Sequence, residues 1–120
     1  MATAITVQEL PANAVAIDDL TFTAGDDTGM TFINDGNTIL IIKNTDAAAT
    51  PAVTADGVAA ADSGRDGTSV ATLAAGIGNI AILGPFKTRN WNTSTGVVDL
   101  SMSVADAPNL ELAAVRYQLG

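Results

Sequence analysis

The sequence predicts an all-β single domain, a β-sandwich or barrel of about eight short, mostly antiparallel strands with an extended N-terminal arm. Three observations carry this. Short runs rich in Val, Ile, Leu and Thr are cut by clusters of Gly, Asn and Asp about every eight to twelve residues, the rhythm of a sandwich or barrel. Some of these runs alternate apolar and polar side chains, the two-residue period of a strand with one wet face. No helical pattern competes with them. At 120 residues, roughly two-thirds of the chain's surface is buried on folding, enough for one core and too little for two.

The arm spans residues 1–13 and the domain residues 14–120. In the arm, Ile5, Val7 and Leu10 occupy alternate or near-alternate positions before Pro11. Such a segment either adds a strand to the open sheet edge of a neighbouring molecule or forms the first strand of its own sandwich. Strands are then expected over 14–17 and 20–23, and again over 30–33 and 38–44. Between the last two lies Asn34-Asp35-Gly36-Asn37. Asp-Gly and its neighbours tolerate the positive φ of tight turns, so 30–33 and 38–44 are expected to pair as a hairpin. Ile39-Leu40-Ile41-Ile42 is apolar on both faces, as in a central strand covered on each side.

A strand over 52–55 leads into a small, polar, Gly-rich stretch to Gly67, read as a long loop. Strands follow over 69–73 and 79–83. Residues 84–92 look like a loop, and 97–104 and 110–117 complete the set. Within 97–104, Leu100-Ser101-Met102-Ser103-Val104 alternates and should have one wet face.

Composition narrows the function. The chain has no His and no Cys, so the most versatile acid/base group near neutral pH and the best nucleophile are both missing. This points to a non-enzymatic protein with no cofactor. Thirteen acids against five bases give a net charge of −8. Lys43, Arg65, Lys87, Arg89 and Arg116 are dispersed, and an acidic field repels phosphate, so direct binding to nucleic acid is disfavoured. No stretch approaches the roughly 20 apolar residues of a membrane helix, and no secretion signal opens the chain. The lack of cysteine suits folding in a reducing cytoplasm. Much of the apolar content is alanine, with one Trp, one Tyr and three Phe, so a lone subunit gains little from its core. Burial against a partner or against copies of itself would add to that.

Several constellations bear on binding. Asp62-Ser63-Gly64-Arg65-Asp66-Gly67 offers oxygens in a Gly-containing turn, but Arg65 sits inside it and the closing Glu of a calcium loop is missing. Asp18, Asp19, Asp26 and Asp27 flank residues 20–23, where they are either exposed strand ends or cation ligands. Gly76-Ile77-Gly78 is a turn without the third glycine of a dinucleotide loop, and Asn92-Thr93-Ser94 fits the glycosylation pattern with no signal for secretion. The segment 84–92 is more informative, because Phe86, Lys87, Arg89 and Trp91 fall together there. Trp and Arg are favoured at interface hot spots, so these four residues, with Ile5, Val7 and Leu10 of the arm, form the candidate partner-contact set. The alternative is that Phe86 and Trp91 cap the open end of the core.

Met30-Thr31-Phe32, Asn34-Asp35-Gly36-Asn37-Thr38, Lys43-Asn44 after an apolar strand, Gly84-Pro85-Phe86 and the closing Leu112-Ala113-Ala114-Val115-Arg116 together resemble the capsid decoration, or cement, proteins of tailed bacteriophages. The resemblance spans about residues 20–119 and rests on turns and strands. It implies a β-sandwich or barrel on the capsid exterior of the virion, made in the host bacterial cytoplasm and reinforcing the shell across subunit boundaries. The implied partners are the major capsid protein and further copies of the chain, often a trimer around a local threefold axis. Another β-rich virion part, such as a head fibre or tail protein, is the nearest alternative. A calcium- or carbohydrate-binding sandwich module is the third, with Trp91 as a stacking platform and Asp26, Asp27, Asp62 and Asp66 supplying oxygens.

Overall fold

In the computed structural model, residues 3–10, 20–59, 66–84, 86, 88–91, 93 and 95–117 are described. The strands are β1 (Thr3–Ala4), β2 (Val7–Leu10), β3 (Thr23–Ala24), β4 (Met30–Ile33), β5 (Thr38–Asn44), β6 (Ala52–Ala59), β7 (Asp66–Thr72), β8 (Ile80–Leu83), β9 (Val97–Ser101) and β10 (Leu110–Tyr117). A single helical turn, α1 (Thr88–Trp91), and a 3-10 turn at Ala107–Asn109 are the helical segments among these residues. The strand expected at 14–17 lies outside the described residues.

The strands form two five-stranded sheets. One runs in the order β1-β4-β9-β6-β7, the other β2-β10-β5-β8, with β3 also pairing to β10. The architecture is therefore a sandwich of ten strands. Most pairings are antiparallel, and the two parallel ones, β1 with β4 and β2 with β10, both involve the N-terminal segment.

Alternation along each strand builds the core. Met30 and Phe32 from β4, Val53 and Ala55 from β6, and Val98 and Leu100 from β9 face Leu40 and Ile42 from β5 and Leu110, Leu112 and Ala114 from β10. These side chains are buried, and their polar neighbours in sequence point outward. As the sequence implies, β5 is central, with β10 on one side and β8 on the other. Ile41, on its outer face, is also buried. Residues 20–24 lie over part of that face. Gln8 fixes them by donating to the Thr21 carbonyl at 2.7 Å and accepting from the Thr21 N–H at 2.9 Å, and Lys43 Nζ stands 4.5 Å from the centre of the Phe22 ring.

The turn at 34–37 forms where expected but joins different partners. β4 pairs with β1 and β9, β5 pairs with β10 and β8, and the two lie in opposite sheets. The segment is an arch between sheets and not a hairpin. Asn34 is buried; its Nδ2 donates to the Phe86 carbonyl at 3.0 Å and its Oδ1 accepts from the Gly36 N–H at 3.1 Å, with Gly36 at φ +98°. This side chain replaces the ladder bonds a hairpin would have made. The arch also lets Phe32 and Leu40 both face the interior, each from its own sheet.

Four boundaries shift. The strand expected over 20–23 is confined to β3 at Thr23–Ala24. β6 and β7 extend into the expected long loop as a hairpin with a bulge between Asp56 and Ala59. β9 ends at Ser101 because Ser103 begins a turn, its carbonyl accepting from the Asp106 and Ala107 amides and its Oγ from the Asp106 amide. Val104 is thereby left 72% exposed while Met102 stays buried. The expected loop at 84–92 contains α1.

The N-terminal segment is built into this molecule's own fold. β1 extends one sheet and β2 the other. Between them Ile5 enters the core at 3% exposure, and its N–H donates to the Thr31 carbonyl at 2.7 Å. The arrangement matches the first-strand alternative rather than an arm reaching a neighbour, because an alternating Ile-x-Val segment buries most by closing the side of its own sandwich.

Candidate docking surface

The sequence predicts partner contacts at Ile5, Val7, Leu10, Phe86, Lys87, Arg89 and Trp91, and the structure divides them. Ile5 is core, and Val7 is partly buried against it. Leu10 pairs in register with Tyr117 at the end of β2, its side chain outside the described set. Lys87 lies outside the described residues, as does the side chain of Arg89 on α1.

Phe86 is 2% exposed and anchors a ring cluster. Its centroid is 5.5 Å from Phe32 in a tilted contact and 5.1 Å from Trp91 in an edge-on contact at 76°. Trp91 is partly buried against the core. Gly84, at φ +104°, turns the chain into this position; a Cβ there would lie 2.9 Å from the Phe86 ring and 3.2 Å from the Thr38 carbonyl. Phe86 and Trp91 thus cap one end of the sandwich, and Phe86 is not available to a partner.

Of the acidic candidates, Asp26 is engaged in a turn, and Asp27 beside it is exposed. Asp26 Oδ1 accepts from the Thr28 N–H at 2.9 Å and its hydroxyl at 2.7 Å, and Oδ2 accepts from the Thr3 hydroxyl. These bonds, the Thr28 hydroxyl first, favour the carboxylate and lower its pKa from the ordinary value of 3.8 to about 2. Asp18, Asp19 and Asp62 lie outside the described residues, as does the side chain of Asp66. Among the described residues no three His, Cys, Asp or Glu side chains converge to hold a metal ion.

A charged cluster that no local sequence signal announces joins distant segments. Arg116 on β10 donates from Nη2 to Glu9 on β2 and from Nη1 to Asp35 of the arch, the latter at 3.3 Å. The bond to Glu9, then that to Asp35, pushes the Arg116 pKa up, and the Asn37 amide followed by Arg116 holds Asp35 below its ordinary value. The parallel register of β2 on β10 sets Arg116 opposite Glu9, and the pairing of β10 with β5 sets it opposite Thr38, next to the arch that carries Asp35. Beside them is a cleft of about 590 Å³, lined by Ala4, Ile5, Thr6, Val7, Thr31, Phe32, Ile33, Asp35, Thr38, Val97 and Arg116. Ile33 on its rim is 69% exposed.

The most distinctive surface is the opposite flank, where the edge strands β7 and β8 of the two sheets lie close together. Residues 67–86 contain no ionisable side chain in a chain with eighteen acids and bases. Four large apolar side chains here face solvent: Val70, Ile77, Ile80 and Ile82, the last 59% exposed. Among the described residues β8 pairs only with β5. Because the Asn44 N–H donates to the Asn79 carbonyl, the alternation of an antiparallel ladder turns Asn79, Ala81 and Leu83 toward β5. The N–H and C=O groups of Ile80 and Ile82 then point to the open edge.

Exposed apolar side chains along an unguarded strand edge are a liability that proteins ordinarily blunt with charge, proline, bulges or brevity. The other edges are treated that way. β1 has two residues, β2 carries Glu9 and is tied to residue 21 through Gln8, and β7 begins at Asp66 beside a bulged partner. Unlike β2 and β7, β8 carries neither charge nor proline, and at four residues it is twice as long as β1. The run 79–83 is legible in the sequence as a strand, but its edge position depends on long-range pairing. Among the described residues no helix is long and apolar enough to cross a membrane. Compared with known proteins, the chain matches no family model, no curated protein and no solved structure.

Proposed function

We propose that this chain is a structural, non-enzymatic protein that binds the outer surface of a phage capsid together with further copies of itself and stabilises the shell across subunit boundaries. The observation that carries the reading is the uncharged β7/β8 flank, where an open strand edge and four exposed apolar side chains break the surface of a strongly acidic domain. Such a surface gains free energy when protein covers it, and the rest of the molecule, at −8, keeps free copies soluble. The same acidity suits a position outside the shell, away from packaged nucleic acid. The sequence resemblance to decoration proteins supplies the partner.

The test is reconstitution. Particles lacking the chain are mixed with the purified protein, and bound copies and heat resistance are measured. Saturable binding at many copies per particle with a raised rupture temperature supports the reading; no binding, or binding without change in rupture, contradicts it. A fibre or tail role would instead give a few copies confined to one site on the particle.

A further inference from the structure

We propose that the open edge of β8 is completed by β8 of a second copy of this chain, related by a two-fold axis through Ala81. The proposal rests on the reading that the flank is covered in the working form, and adds which chain covers it.

The register follows from the backbone. The outward N–H and C=O groups belong to Ile80 and Ile82. Antiparallel pairing of two identical strands satisfies all of them when Ile80 of each copy stands opposite Ile82 of the other. Ala81 then faces Ala81 at a non-hydrogen-bonded position. The strand is self-complementary in this register, as an isologous contact requires. It joins the two β2-β10-β5-β8 sheets into one continuous sheet, with Ile80 and Ile82 of both copies side by side on its outer face.

Electrostatics selects the same edge. Two copies at −8 each repel, and the repulsion is least where no ionisable side chain lies in the approaching segment, which is residues 67–86. The edge of β2 would instead bring Glu9 against Glu9. A contact centred on four strand residues a side is small beside the roughly 20–30 residues a side of a stable interface, so the free dimer is concentration-dependent. Copies held side by side on a shell would pair readily, because their effective concentration is high.

Cysteine scanning tests the register, since the native chain has no thiol to interfere. Directly opposed residues at a non-hydrogen-bonded site have Cα atoms about 4.5 Å apart, within disulfide reach. Under mild oxidation, Ala81→Cys should therefore form disulfide-linked dimer at least tenfold faster than Ile80→Cys, whose nearest copy lies two positions along. Ile82→Lys should lower the dimer fraction in sedimentation of the native-length protein, with circular dichroism confirming its fold. Equal or reversed cross-linking rates overturn the pairing. If that happens while Ile82→Lys still weakens binding to shells, the docking flank stands and the self-pairing falls. If Ala81→Cys dimerises as expected but shells bind no protein, the pairing stands and the capsid reading falls.

Discussion

Phe86 and Trp91 stand in the sequence beside Lys87 and Arg89, the composition of a recognition loop. Their other reading, capping the core, is the one their positions fit. A Phe at 2% exposure with ring contacts to Phe32 and Trp91 contributes through burial. Phe86→Ala should therefore destabilise the protein by about 3–5 kcal/mol, seen as a lower urea midpoint. Trp91→Ala should lower stability more than it lowers any partner affinity. Gly84→Ala should cost about 1–3 kcal/mol, because the residue sits at φ +104° with the Phe86 ring 2.9 Å from the new methyl group. A glycine before Pro85-Phe86 was legible as a turn. That it aims a phenylalanine into the core was not, because nothing local says which way the chain leaves the turn.

Among the elements, the N-terminal segment departs furthest from expectation. Alternation of Ile5 and Val7 was readable, but a lone alternating run has no way to declare its partner. The structure pairs it in parallel with β4 and β10, whose sequence positions are remote. The arch at 34–37 repeats the lesson. Asp-Gly chemistry fixes that the chain turns, whereas hairpin or arch is decided by which sheet needs each strand. Ile5→Ala should cost about 2–5 kcal/mol, and deletion of residues 1–10 should unfold or severely weaken the domain; a deletion variant of unchanged stability would return the segment to the status of an arm. Acid should loosen the same segment. Asp26, whose carboxylate accepts from Thr3 on β1, has a folded pKa of about 2, below an unfolded value near 3.9. Its contribution is therefore complete above about pH 4 and lost as pH falls toward 2. Protection of the Thr3 and Ile5 amides, which donate to Gly29 and Thr31, measured against the intrinsic exchange rate at each pH, should fall over that window, and Asp26→Asn should blunt the pH dependence.

At the scale of the whole molecule, the all-β class, the single domain and most strand positions were legible because turn clusters and two-residue alternation are local signals. Sheet order was not, and sheet order makes the site. The run 67–86 is visibly uncharged in sequence, yet it becomes a surface only because β7 and β8 end up as adjacent edges of opposite sheets. The acidic charge belongs to this scale too, since it keeps separate copies apart everywhere except along that flank. The decisive measurement is a reconstruction of shells carrying the bound protein. It should show the domain outside the capsid with Val70, Ile77, Ile80 and Ile82 buried at protein contacts; a shell-bound domain whose β7/β8 flank faces solvent, or a shell without the domain, would contradict it.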